Sequence, residues 1–202
     1  RLAVAHRLLN ETYAPNQVII PGKAVAELER LLIELAKTVD DSNIVELGFD
    51  AEFLQVGLVL KDEDTDNEIT VKLSARLIEG KFPDYRRVIP ANNDKIVLFN
   101  KDEAVDVLRR ISVLNTKEEP GVLMNFDTTD FCKVGVTNRN LGEAEEMLGV
   151  NYSGDAIELT FNEAYLRAVL NGLEGEVCLE LNQPSSPALI YQGGDDLHRY
   201  VI

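Results

Sequence analysis

Two histidines, His6 and His198, and two cysteines, Cys132 and Cys178, are all that this 202-residue chain offers of the side chains that most often serve as general bases, soft metal ligands or thiolate nucleophiles. Neither histidine lies in a motif with triad or metal-ligand spacing, so both read as surface or interface residues. Neither cysteine has a Cys-x-x-Cys partner or a nearby histidine, and both read as buried structural thiols in strand-like segments. So few cysteines, with no signal-peptide core in Arg1-Leu2-Ala3-Val4-Ala5-His6-Arg7, point to a reduced, cytoplasmic setting. No apolar run approaches the roughly 20 residues that span a bilayer, which argues against membrane insertion. Basic residues are scarce too, 20 against 35 acidic, for a net charge of -15. That balance opposes indiscriminate binding of a polyanion, whose affinity comes from neutralised phosphates, so any nucleic-acid contact has to be local or topological. A glycine-rich phosphate loop, zinc-ligand spacing and an RNP motif are all missing.

What is present is a soluble globular composition, 45% hydrophobic and 27% charged, with length for one or two domains. Three segments repeat one pattern, a short strand feeding a helix: Val18-Ile19-Ile20-Pro21 into residues 22–37, Ile96-Val97-Leu98-Phe99-Asn100 into residues 101–114, and Leu159-Thr160-Phe161-Asn162 into residues 163–173. Val25, Leu28, Leu32 and Leu35 give the first helix a 3.6-residue stripe, and Pro21 pre-sets its start. Asn100 can cap the second, with Asp102 and Glu103 at its positive end and Lys117 at its negative end. Asn162 can cap the third, whose stripe reads Tyr165, Leu166, Val169 and Leu173. After each helix come three stretches of alternating apolar residues, including Val45-Leu47-Phe49, Val122-Met124-Phe126, Val177-Leu179-Leu181 and the stretch through Met147, Val150 and Tyr152. The expected fold is α+β, built from units of one helix plus a short antiparallel meander. Two units share the stretch after residue 90, and the lone unit before it reads as half of a domain, so that the chain begins mid-structure. A boundary is expected at Phe82-Pro83-Asp84-Tyr85-Arg86-Arg87-Val88-Ile89-Pro90, whose prolines flank a short rigid linker.

Asp62, Asp64 and Asp66 match the first ligands of a calcium loop, but Asn67 stands where glycine is needed and Leu73 where a bidentate glutamate is needed. A solvated hairpin tip is the better reading. On the first helix Lys23, Glu27, Arg30, Glu34 and Lys37 alternate in sign and can pair among themselves. The second carries Arg109, Arg110 and Lys117 with its acids largely in the first turn, which reads equally as a solvated face or one close to nucleic acid. The residues alone reach a repeated scaffold with no active site.

Several segments go further. Glu79-Gly80-Lys81-Phe82-Pro83-Asp84-Tyr85-Arg86-Arg87-Val88-Ile89-Pro90 resembles the linker between the second and third domains of the β sliding clamps, the processivity factors of bacterial DNA polymerase III. Arg1-Leu2-Ala3-Val4 resembles the strand after that family's Asp-Gly-His sequence. Glu143 through Met147, Tyr152-Ser153-Gly154, Phe161-Asn162 with Tyr165, and Ser186 through Ile190 resemble its third domain, in family order. The resemblance implies a DNA-clamp fold, with residues 1–88 as the C-terminal part of the middle domain and 89–202 as the third. It implies a non-catalytic protein without cofactor or metal, two of whose full-length subunits close head to tail into a ring around duplex DNA without sequence preference. Implied partners are polymerase subunits, the clamp loader and other proteins carrying a clamp-binding motif. Carried over position by position, the partner pocket would be lined by Leu2, Pro83, Val88, Val201 and Ile202, with Arg87, Asn162 and Tyr165 as polar contributors and Arg1, Ser185 and Pro187 as looser matches. Lys23, Arg109, Arg110 and Lys117 would approach DNA. The sequence departs from the family in lacking the first domain and the opening half of the second, in stopping at Ile202 before a usual short tail, which would leave the pocket without one wall, and in a longer hairpin between Val45 and Leu77. A clamp-like peptide-binding scaffold that never encircles DNA, and a metal-dependent hydrolase built on the acidic run from Asp62 to Glu68, are the competing readings.

Overall fold

The computed structural model describes residues 1–8, 13–36, 44–61, 68–194 and 197–202. Asp62, Asp64, Asp66 and Lys37, and with them the expected hairpin tip, lie outside the described residues. The elements run β1 Leu2–Ala5, α1 Gly22–Ala36, β2 Ile44–Phe49, β3 Phe53–Lys61, β4 Glu68–Arg76, a one-turn 3-10 helix Tyr85–Arg87, β5 Lys95–Asn100, α2 Lys101–Ile111, a second 3-10 turn Ser112–Leu114, β6 Gly121–Phe126, β7 Phe131–Asn138, β8 Gly142–Gly149, β9 Asn151–Ser153, β10 Ile157–Asn162, α3 Glu163–Leu170, β11 Glu176–Leu181, β12 Leu189–Gln192 and β13 His198–Val201. They form two compact units, Glu11–Pro83 and, together, Arg1–Asn10 with Asp84–Ile202.

The first unit is a three-stranded antiparallel meander, β2-β3-β4, with α1 against it. Alternation along β3 buries Leu54, Val56 and Leu58, and Leu28 and Leu31 of α1 pack on them together with Ile20, Val71, Leu73 and Leu77. The helix contacts this narrow sheet along one line. Val25 and Leu32, which share the helical spacing of Leu28, are exposed. The expected strand at Val18–Ile20 does not form either. Ile19 C=O accepts one bond from Ile78 N–H at 2.9 Å, Pro21 has no N–H to give, and its C=O is taken by Ala24 and Val25 at the start of the helix.

The second unit has a six-stranded sheet, β1-β13-β12-β11-β5-β9, and a four-stranded sheet, β10-β6-β7-β8, antiparallel throughout. Val97, Val177 and Ile190 of the larger sheet, Val122, Phe126 and Val134 of the smaller, and Leu108, Ile111, Leu166 and Leu170 of the two helices make one core. The void left among Phe99, Val107, Met124, Leu166 and Leu179 is only about 10 Å³, no more than one water could use. Asn100 starts α2 by accepting from the N–H groups of Asp102 (2.9 Å) and Glu103 (3.2 Å), a cap of about 1 kcal/mol. The helix ends at Ile111, so Lys117 falls in the loop beyond it, and Arg109 and Arg110 meet the negative end instead. Asn162 caps α3 through the Tyr165 N–H at 3.2 Å. Leu166, Val169, Leu170 and Leu173 form its inner stripe, which turns Tyr165 outward, 41% exposed, against the expectation that it would be buried. Met147 likewise faces out, because strand alternation in β8 gives the inner position to Leu148.

Candidate functional site

An open groove of about 370 Å³ runs across the second unit. One wall is the outer strand β10 at Leu159, Thr160 and Phe161. The other is the loop from Pro184 to Pro187, with Val201, Ile202, Arg1 and Val88 completing the lining. Local chemistry puts these pieces in place. Ala188 and Ile202 exchange two main-chain bonds (2.9 and 3.1 Å), which locks the last residues beside the loop. β1 pairs with β13, Leu2 opposite Val201, and so delivers Arg1 to the groove. The Arg1 guanidinium lies 3.8 Å from the centroid of the Tyr165 ring, a cation–π contact that carries Tyr165 to the groove margin. Val88 closes the first 3-10 turn by donating to Tyr85 C=O at 2.9 Å, and the Asp84 carboxylate caps that turn at the Arg86 N–H.

Of the residues expected to meet a partner, Arg1, Val88, Ser185, Pro187, Val201 and Ile202 converge on this groove, and Tyr165 joins them through Arg1. Asn162 spends its Oδ1 on the α3 cap, which leaves the amide NH2 as its free group. Leu2 is half-buried in the sheet opposite Val201, outside the lining. Arg87 is 84% exposed, 3.4 Å from Asp84, and Pro83 belongs to the first unit. Sequence reasoning missed Leu159, Thr160, Phe161, Pro184 and Ser186. The strand at residues 159–162 was legible, but its position at a sheet edge was not.

The residues expected near DNA divide by their surroundings. Arg110 grips Glu146 of β8 with Nε at 2.8 and 3.0 Å and Nη2 at 2.6 Å. The guanidinium's hydrogen bonds and charge hold the Glu146 carboxyl below its usual range, and the arginine is pushed up in turn. Arg109, its neighbour, is exposed and has no ion pair among the described residues, and the same holds for Lys117 in its loop. Lys23 is exposed at the start of α1 in the first unit.

Other reactive groups are occupied structurally. Burial pushes the Cys132 thiol up to about 12 and raises that of Cys178. The Tyr191 hydroxyl donates to Glu180 at 2.7 Å, and His198 Nε2 lies 2.7 Å from Arg7 Nη2. Among the described residues no three or more His, Cys, Asp or Glu are grouped to hold a metal, and no helix is long and apolar enough to cross a membrane.

Two antiparallel sheets share one core with two helices, each helix entered from a strand, and this fold is that of the DNA sliding clamps. Residues 86–202 match the model of the DNA polymerase III beta subunit, C-terminal domain, and the chain belongs to that family. It is 34% identical over 203 residues to the beta sliding clamp of Haemophilus influenzae, covering 100% of this chain and 51% of that protein. To the beta sliding clamp of Pseudomonas putida it is 31% identical over 188 residues, covering 93% and 47%. A crystal structure of the Pseudomonas aeruginosa sliding clamp matches with a TM-score of 0.78 at 28% identity, covering 93% of this chain and 47% of that one. The same organism's clamp bound to griselimycin matches at 0.79 and 27%. The chain thus spans about half the length of the curated relatives it matches.

Proposed function

We propose that these residues belong to a DNA sliding clamp, a non-catalytic processivity factor of the cytoplasm. In this reading residues 1–88 are the end of its middle domain, 89–202 are its third domain, and two full-length subunits form the ring that encloses duplex DNA. The observation that carries this is family membership across residues 86–202. The groove is its docking site for polymerases, the clamp loader and other partners, which present a short extended peptide with a glutamine and leucine or phenylalanine anchors. Arg1, Leu2, Pro83, Arg87, Val88, Asn162, Tyr165, Ser185, Pro187, Val201 and Ile202 are its proposed contributors. Each buried anchor contributes about 1.5 to 3 kcal/mol before ordering costs, which places binding on the order of micromolar. Net acidity suits a protein held on DNA by topology rather than by a broad basic surface. The full-length protein, loaded onto nicked circular DNA, should stay bound through gel filtration and be lost once the circle is cut. Equal retention on linear and circular DNA would refute encirclement. Retention on neither, with peptide binding intact, would favour the scaffold that does not enclose DNA.

A further inference from the structure

The wall of the groove is an unpaired strand edge. β10 sits at the end of its sheet and, among the described residues, hydrogen-bonds to β6 alone. The register fixes which of its main-chain groups are spare. Asn162 stands opposite Gly121, so the next pair along the same ladder is Glu163 and Pro120, and Glu163 N–H does donate to Pro120 C=O at 2.9 Å. Bonded and non-bonded pairs alternate in an antiparallel ladder. Phe161 and Leu159 therefore point their N–H and C=O at β6, whereas Thr160 turns both away from it.

Thr160 is exposed and lines the groove. Neither its outward main-chain groups nor the Ser185 and Ser186 hydroxyls across the groove have a hydrogen-bond partner among the described residues. Gly121 supports this arrangement from beneath, since a Cβ there would come within 2.9 Å of the Thr160 Cγ2 and force the threonine to move.

We propose that the partner peptide binds by strand addition, lying extended along β10 and exchanging two main-chain hydrogen bonds with Thr160. This rests on the docking role given to the groove above and specifies how it is carried out. Successive side chains of an added strand point to opposite sides. One set meets the apolar lining at Val88, Val201 and Ile202, and the other lies toward the serines or solvent. Main-chain bonds supply affinity that is indifferent to sequence, and the apolar slots supply selectivity at alternate positions only, which is how one groove accepts many partners.

The test is fluorescence anisotropy on the full-length protein with a labelled peptide carrying glutamine, leucine and phenylalanine anchors, set beside copies of it N-methylated at one main-chain nitrogen each. Methylation at the position facing Thr160 should weaken binding about tenfold, the scale expected from losing up to two hydrogen bonds, while methylation one residue away should change it little. Thr160→Pro deletes only a donor outside the ladder, which an edge strand tolerates. It should fold and bind the parent peptide about as weakly as the wild type binds the methylated one. If every methylated peptide binds within about twofold of its parent, strand addition is wrong while the docking role stands. If the unmodified peptide fails to bind the wild-type protein, both are wrong.

Discussion

On the proposed clamp function, Arg109→Ala should weaken the grip of the full-length protein on duplex DNA, and removing Arg110 together with Glu146 should not. Both arginines sit in the last turn of α2, yet Arg110 has two of its nitrogens engaged by both oxygens of Glu146, so at the surface the pair is close to a neutral dipole. Arg109 has no carboxylate partner among the described residues and keeps its whole fork of donors for a phosphate. Each phosphate contact contributes about 0.9 to the slope of log affinity against log salt, so a two-subunit ring that loses one per subunit should show a slope shallower by about 1.8. Per lost contact, a fourfold rise in salt would then weaken binding about 3.5-fold less than in the wild type. Binding of a labelled duplex, followed by anisotropy from roughly 50 to 200 mM salt, reads this directly. The Arg110→Ala, Glu146→Ala double substitution is the matched control, because it deletes one positive and one negative charge. An unchanged slope for Arg109→Ala, or an equal drop for the double substitution, would refute the reasoning.

Asn100→Ala should cost about 1 kcal/mol in urea unfolding, because two N–H groups at the start of α2 lose their acceptor. Phe126→Ala should cost about 3 to 5 kcal/mol, since the ring is fully buried and packs tilted against Tyr152 at 5.3 Å between centroids; a smaller loss would mean that the core collapses into the space. Cys132 predicts an alkaline loss of stability. Its thiol is raised from 9.0 to about 12 in the folded chain, so unfolded molecules release this proton first; its contribution is intact below pH 9 and declines toward pH 12, by about 1.4 kcal/mol per unit at most. The stability gap between wild type and Cys132→Ala, measured from pH 8 to 11, should narrow accordingly, and a constant gap would contradict the assignment.

Much of the fold was legible because its signals are local. Asn100 and Asn162 announce α2 and α3, since an asparagine between an alternating stretch and a helical stripe has few other uses. Alternation at 122–126, 132–136 and 177–181 gave three core strands with the correct inner residues. The errors fall where a neighbour decides. Val18–Ile20 has the composition of a strand and finds one bond instead of a ladder. Tyr165 adjoins the inner stripe of α3 but faces outward, where its ring meets Arg1, more than 160 residues away.

The candidate groove was legible only through resemblance, for a physical reason. Its lining comes from residues 1, 88, 159–161, 184–187 and 201–202, and no spacing within a window of sequence could connect these. What connects them is the pairing of the first strand with the last, Leu2 opposite Val201, and the exchange of bonds between Ala188 and Ile202. The same limit governs charge. Counting bases on α2 gives two adjacent arginines of equal promise, and only the strand partner Glu146, 36 residues on, separates one from the other. Along this chain acids neutralise bases pair by pair: Glu27 with Arg30, Glu146 with Arg110, Glu145 with Lys133, Glu163 with Arg167. Its capacity to meet a phosphate therefore depends less on the net charge of -15 than on which few cations the fold leaves without a carboxylate.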